Sequence, residues 1–280
     1  MARGWWTRGR KAIASGTAIA VALGVPVTVA VLHQGFPVTD VDVTTRTVWV
    51  TNGEEVLAGR LNRQIEELDA AVAGATSSLD VVQNGTGVFL YDTVAGTLER
   101  IDPAFTRLTE RVDLPGDPVV ALGGTTLAIL DESDGRLWVT DVAGPLDFDP
   151  IDEPVLELGD DARVAVSPDG TVFASSPDES AVYTIRGIGA KPEATTLDFA
   201  AEHQLTAVGE TFAILDRDAN EVVRADGSTV DLEDEIGLKI QQSGAENDVV
   251  IVATGDALLR VPLGGGSVEV GRTGDRKSVV

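Results

Sequence analysis

An all-β fold of about six four-stranded blades, a β-propeller preceded by one amino-terminal membrane helix, is the architecture that this sequence of 280 residues predicts. Three observations carry the prediction. A strand, turn, strand pattern occurs six times at a near-constant period. The turns concentrate Asp, Gly, Asn, Ser and Pro, the residues that tight hairpins demand. No cysteine is present, so packing alone must hold the repeats together.

The first strands of the six copies are residues 47–52, 87–92, 126–131, 171–176, 211–216 and 249–254. Their second residues, Val48, Val88, Leu127, Val172, Phe212 and Val250, are spaced by 40, 39, 45, 40 and 38. Each strand runs into a polar turn, at 53–55, 93–96, 132–135, 177–180, 217–220 and 255–256. A second apolar-alternating strand follows, at 56–62, 97–102, 136–141, 181–186, 221–226 and 257–262, making a hairpin. Ahead of each hairpin lies another strand-like run, at 41–44, 79–83, 119–122, 163–166, 205–208 and 238–241, and behind it a polar segment suited to an outer edge strand. Four strands per unit, repeated radially, give propeller blades that hide their apolar faces against one another. Leu61, Ile65, Leu68 and Val72 also satisfy helical spacing, but the repeat's register assigns that stretch to an outer strand or irregular structure. Gly264-Gly265-Gly266 fits either a linker or the last turn of the sixth unit.

The amino terminus follows a different logic. Residues 12–32 carry no formal charge and, as a helix, would extend about 31 Å, enough to cross a bilayer's hydrocarbon core. Arg3, Arg8, Arg10 and Lys11 precede it together with Trp5 and Trp6, which puts residues 1–11 in the cytoplasm and the remainder outside the cell. Pro26 is compatible with such a span. A cleaved signal peptide is the rival, with Thr28 and Ala30 as the small residues before the cut. The expected layout is therefore a basic cytoplasmic segment at 1–11, a signal-anchor helix at 12–32 and an extracellular propeller at 33–274.

Charge excludes one class of partner. Four of the 21 basic residues lie in the first eleven positions, leaving 17 against 45 acids in the rest of the chain. Phosphate backbones need clustered Lys and Arg, so nucleic acid is not an expected partner. The acidic surface reads as solvation.

Two stretches carry resemblances. Val166-Ser167-Pro168-Asp169-Gly170-Thr171-Val172-Phe173 resembles the Ser-Pro-Asp-Gly turn of WD-like and Tol-type propeller repeats, and Val48-Trp49-Val50-Thr51-Asn52 resembles the Tyr-Val-Thr-Asn signature of surface-layer propellers. More broadly, the basic start and single span, then Leu61-Asn62-Arg63-Gln64-Ile65, Phe89-Leu90-Tyr91-Asp92 and Leu98-Glu99-Arg100-Ile101-Asp102-Pro103, resemble the amino-terminal region of large actinobacterial surface proteins that carry fibronectin type III repeats further on. That resemblance implies an extracellular, membrane-tethered, multidomain protein, although no fibronectin type III domain is visible in the sequence. Asp275-Arg276-Lys277-Ser278-Val279-Val280 looks like the in-frame translation of a sequencing adaptor. Residues 275–280 are thus expected to be a non-native tail, and the ring of blades to be incomplete.

Catalytic equipment is sparse. The two histidines, His33 and His203, have no evident partners, so neither a His-based metal site nor a Ser-His-Asp triad is expected, and His203 reads as a surface or blade-edge residue. No nucleophile-elbow, Walker or dinucleotide glycine motif occurs. Asp131 and Asp216 form a conceivable glycosidase pair, but Asp92, Asp131 and Asp216 recur at one hairpin position, where aspartate accepts turn hydrogen bonds. Asp216, Asp218 and Asn220 match the first ligand positions of a calcium loop, while Glu221 stands where the loop needs glycine and Gly227 where it needs a bidentate glutamate. No catalytic residue, cofactor or metal is therefore assigned. The expected function is a noncatalytic, membrane-anchored extracellular module that binds a cell-envelope protein or polysaccharide. The alternatives are the amino-terminal part of a polysaccharide-degrading glycosidase and an envelope sensor or secretion component.

Overall fold

The computed structural model describes residues 47–272 apart from positions 63, 64, 66, 86, 234 and 246. The expected span at 12–32, the inner strand at 41–44 and the tail at 275–280 lie outside the described residues. Among the described residues no helix is long and apolar enough to cross a membrane.

The described residues are all-β. The first sheet contains β1 (Thr47–Asn52), β2 (Leu57–Asn62) and β3 (Glu67–Ala73). Five four-stranded sheets follow in chain order. The second holds β4 (Leu79–Asn84), β5 (Gly87–Asp92), β6 (Thr97–Asp102) and β7 (Arg107–Asp113), and the third β8 (Pro118–Gly123), β9 (Thr126–Asp131), β10 (Arg136–Asp141) and β11 (Leu156–Glu157). The fourth is β12 (Arg163–Val166), β13 (Val172–Ser176), β14 (Ala181–Ile185) and β15 (Glu193–Thr196). The fifth is β16 (His203–Val208), β17 (Thr211–Asp216), β18 (Glu221–Arg224) and β19 (Thr229–Asp231), and the sixth β20 (Lys239–Ile240), β21 (Val249–Ala253), β22 (Ala257–Pro262) and β23 (Glu269–Arg272). Strands pair antiparallel with their chain neighbours, so each sheet is a meander. The stretch with helical spacing is the β2–β3 hairpin: Leu61 lies near the end of β2, paired with Leu68 of β3, and Val72 pairs with Ala58. The three glycines at 264–266 lie in the β22–β23 turn.

One turn design recurs at the hairpin between the second and third strands. The last residue of the second strand turns its side-chain oxygen back on amides two or three residues ahead: Asn52 accepts from Glu54 and Glu55 at 3.1 and 3.3 Å, Asp92 from Ala95 at 2.9 Å, Asp131 from Ser133 at 3.1 Å, and Asp216 from Asp218 and Ala219 at 3.0 and 2.9 Å. Such bonds satisfy turn amides that no strand partner reaches. The three aspartates are buried and also tie down the loop leading into their own blade, accepting from the amides of Thr76, Asp117 and Ala200. Burial pushes the Asp92 and Asp131 carboxyls up, but the hydrogen bonds outweigh it and hold both below the usual carboxylate range. In the fourth blade Ser176 takes the same place, accepting from Glu179 at 3.3 Å and donating to Leu158 O at 2.6 Å.

Alternation along the strands sends every second side chain to each face of a sheet, and both faces of the inner blades are apolar. Five buried clusters result, one at each seam between consecutive sheets. Phe89, Leu98, Leu127 and Ile129 seal the second sheet to the third, and Phe173, Val182, Phe212 and Ile214 seal the fourth to the fifth. Each fully buried leucine of this kind contributes roughly 1.5–3 kcal/mol. The sixth sheet makes no comparable contact with the first among the described residues.

Candidate functional site: a trough across the first turns

Antiparallel meanders place the turns between first and second strands on one side of the molecule, opposite the aspartate-bearing hairpins. Those turns need backbone in the left-handed region, which glycine supplies without strain: Gly85, Gly124, Gly170 and Gly209 have φ of 56°, 54°, 91° and 59°. Neighbouring turns sit nearly flush. A Cβ at Gly123 would come within 1.9 Å of Ser167 O, and one at Gly170 within 2.7 Å of Thr126 Oγ1.

Two adjoining grooves open above this row. The larger, about 580 Å³, is lined from the third, fourth and fifth blades by residues that include Thr125, Asp141, Asp169, Arg186, Ile188 and Glu210. The smaller, about 330 Å³, runs from the second blade to the fourth past Asn84, Gly85, Arg100, Thr125 and Pro168. Thr125 lines both and is exposed, so the grooves meet at this residue.

The centre of the trough is preorganised. In the Ser-Pro-Asp-Gly turn, Gly170 N donates to Ser167 O at 2.9 Å, Thr171 N donates to Asp169 Oδ1 at 2.9 Å, Thr171 Oγ1 donates to Asp169 Oδ2 at 3.2 Å, and Ser167 Oγ donates to Asp169 as well. Burial pushes Asp169 up, but these bonds prevail and hold it below the usual carboxylate range. It is an ionised acceptor. A general acid needs the opposite shift. Asp141 accepts from Ala143 N at 3.0 Å, and Arg186 at the groove edge is paired with Glu193 on its own blade. The chemistry on offer is hydrogen bonding from hydroxyls, carboxylates and a guanidinium.

A second cavity, about 440 Å³, lies on the axis of the repeat and is lined by residues of all six units, among them Trp49, Gln83, Leu122, Val166, Leu205 and Gln242. Trp49 N donates to Gln83 Oε1 at 2.9 Å across the first seam. Aliphatic side chains such as Val82, Leu122, Val166 and Leu205 share the walls with the polar groups of Asp80, Gln83, Gln242 and Ser243.

The candidates named from sequence are distributed by the turns. Asp131 and Asp216 end β9 and β17 in different sheets, and each is hydrogen-bonded within its own hairpin. Asp216, Asp218 and Asn220 share one turn, but Asp216 accepts from three amides, and Asn220 donates to Glu235 O at 2.9 Å while accepting from Gly237 N at 3.0 Å. His203 is not a surface residue: it is 2% exposed, at the start of β16, the inner edge strand of its blade. Its ring spans the seam between the fourth and fifth sheets, with Nδ1 2.9 Å from Ala201 O and Nε2 2.7 Å from Ser175 Oγ. With Nδ1 donating to the carbonyl, a neutral ring accepts at Nε2 from the serine, and burial, which pushes the imidazole down from its ordinary value, favours that neutral form. Ser175 is fully buried, and the pair binds blade to blade. Sequence offers no signal for this pairing, because the two residues are 28 positions apart in separate repeats.

No family model matches the sequence, and no curated protein matches it. Solved structures do. The complex of KlAtg21 with the coiled coil of AgAtg16 is similar with a TM-score of 0.60 at 11% identity, covering 81% of each chain. Catalytically inactive virginiamycin B lyase from Staphylococcus aureus with quinupristin gives 0.51 at 10%, covering 82% of each chain. Dihydro-heme d1 dehydrogenase NirN gives 0.55 at 13%, covering 80% of this chain. The fold is a β-propeller. The likeness extends to fold alone, since enzymes and non-enzymes stand side by side among these propellers, and the chain spans only 53% of NirN.

Proposed function

We propose that this propeller is a noncatalytic extracellular binding module, tethered by the apolar segment 12–32 and belonging to a larger cell-surface protein of the fibronectin type III kind. In this reading the six sheets belong to a ring that further polypeptide completes. The ligand is a cell-envelope polysaccharide, laid along the trough that crosses the first turns of successive blades. The observation that supports this most is the meeting of two grooves, the larger of them polar, at the exposed Thr125, beside a carboxylate already committed as an acceptor. Polyols are held by such fixed acceptors and donors, and a site spread over several rigid turns suits an extended chain. A glycosidase would need a second carboxyl held protonated near neutral pH, since an ionised Asp169 could serve only as its nucleophile or base.

Thr125→Trp tests the reading, because an exposed side chain is enlarged where the grooves join. Binding of the chain to purified cell-wall polysaccharide, followed by co-sedimentation, is expected to fall at least about tenfold in the variant, a loss of about 1.4 kcal/mol, with thermal stability unchanged. Unaltered binding, or none by the parent chain, rejects the trough. Release of reducing sugar ends from the same polysaccharide would move the assignment to the glycosidase. Fractionation of cells after deletion of residues 1–32 tests the tether separately.

A further inference from the structure

The second residue of the third strand occupies one place in all six blades. It points toward the following blade. Ala58, Leu98, Leu137, Val182 and Val222 fill this place in the first five blades, and each is 0% exposed. Leu258 fills it in the sixth and is 47% exposed. The opposite face of the array shows the mirror image. Leu90, Ile129, Ala174, Ile214 and Val252 receive the preceding blade and are at most 1% exposed, whereas Val50, the matching residue of β1, is 38% exposed.

Two residues further along the same strand lies a polar device. Arg60, Arg100 and Arg224 cross their seams to carbonyl oxygens at the end of the next blade's third strand: Arg60 Nη1 to Pro103 O at 2.8 Å, Arg100 Nη1 to Val142 O at 3.0 Å, and Arg224 Nη2 to Pro262 O at 2.8 Å. Arg60 and Arg100 are also paired on their own outer strand, with Asp69 and Glu110, both at 2.7 Å. Arg260 repeats the position and the pairing, with Glu269 at 3.2 Å, yet its side chain is 58% exposed against 25% and 22% for Arg60 and Arg100. Its face also carries Val249, Ile251 and Ala253, each partly buried, in register with Pro262, Arg260 and Leu258.

We infer that one more four-stranded blade, supplied by polypeptide that follows Arg272, docks on the Leu258 and Arg260 face of β21 and β22. Continuity with the five existing seams selects this occupant. A blade brings both an apolar row for Leu258 and a carbonyl for the Arg260 guanidinium, as the second blade does for Ala58 and Arg60. Its far side covers Val50, and closure removes both open faces, as propellers require.

The chain has no cysteine, so Leu258→Cys creates a unique thiol on the face in question. Maleimide labelling is measured in the protein encoded by the complete gene and in the 280-residue chain, both carrying L258C. Labelling is expected to be at least about tenfold slower in the gene product, and Arg260→Gln to speed it there while leaving the 280-residue chain unchanged. Equal rates overturn the inference. Slow labelling of the 280-residue chain also overturns it, a dimeric mass assigning the face to a second copy and a monomeric mass to closure on the first sheet. Should L258C fail to fold, Val50→Cys reads the opposite open face by the same comparison and the same outcomes.

Discussion

Leu98 and Leu258 stand at one position of the same repeat, one sealed between the second and third sheets and the other half open on the sixth. Their strands carry the same arginine two residues on and the same outer-strand acid opposite it. What separates them is the next blade. In a radial repeat, burial belongs to the neighbour as much as to the residue, and each blade's energy depends on the seam it completes. The largest expected effect therefore contrasts these two leucines in the 280-residue chain. Leu98→Ala should lower unfolding free energy by about 2–5 kcal/mol, the range for buried leucines, while Leu258→Ala stays within about 0.5 kcal/mol. Equilibrium urea unfolding measures both. Equal losses would mean that Leu258 is buried in solution and would erase the contrast.

The same comparison shows what sequence made legible. The period and the hairpins were readable because apolar alternation and Asp- or Gly-rich turns are local properties, and the structure returns them in β5–β6, β9–β10 and β17–β18. The Ser-Pro-Asp-Gly turn at 167–170 was legible as a turn for the same reason. The trough above it was not. It arises because Gly123 and Gly170 let turns of adjacent blades come flush, and that proximity joins residues more than 40 positions apart. The recurring glycine-threonine pairs, Gly124-Thr125 and Gly170-Thr171, were the available signal. His203 misled for a related reason: a histidine beside glutamate in a polar stretch reads as exposed, and only the fourth sheet supplies the serine that makes its burial tolerable.

That histidine sets the second expectation, that an inner seam responds to acid in a way an open face does not. Burial pushes the His203 imidazole down from its ordinary value of 6.5, with Arg163 acting in the same direction and the Ala201 carbonyl and Asp216 opposing. A depressed value means that the unfolded chain takes up the proton first. The contribution is therefore fully present above the unfolded value of about 6.5 and lost as pH falls through the folded one. Between pH 7.5 and 5.5 the parent chain should lose stability with a slope no steeper than about 1.4 kcal/mol per pH unit. His203→Gln, which keeps a partner for Ser175, should flatten that slope. Parallel slopes in the two proteins would take the titration away from this seam.

The smallest expected effect compares a terminal blade with an inner one through a single backbone angle. The hairpin after the second strand ends in a left-handed residue, and Gly96 and Gly135 fill that place in the second and third blades with φ of 62° and 71°. In the first blade the place is held by Val56 at φ 56°. A left-handed residue with a Cβ costs roughly 1–2 kcal/mol, and β-branching makes it an outlier, whereas glycine's extra freedom in the unfolded chain costs about 0.5–1 kcal/mol. Val56 is partly buried, so its removal also forfeits some apolar contact. Val56→Gly should therefore stabilise only slightly, by about 0.5 kcal/mol, and raise the thermal midpoint accordingly. Gly96→Val is the reciprocal change. Nothing lies within 4 Å of where its Cβ would sit, so its cost isolates the backbone and, net of the freedom removed from the unfolded chain, should be about 0.5–1 kcal/mol. If Val56→Gly destabilises while Gly96→Val is neutral, the two hairpins differ in conformation, and the equivalence of terminal and inner blades ends at the turn.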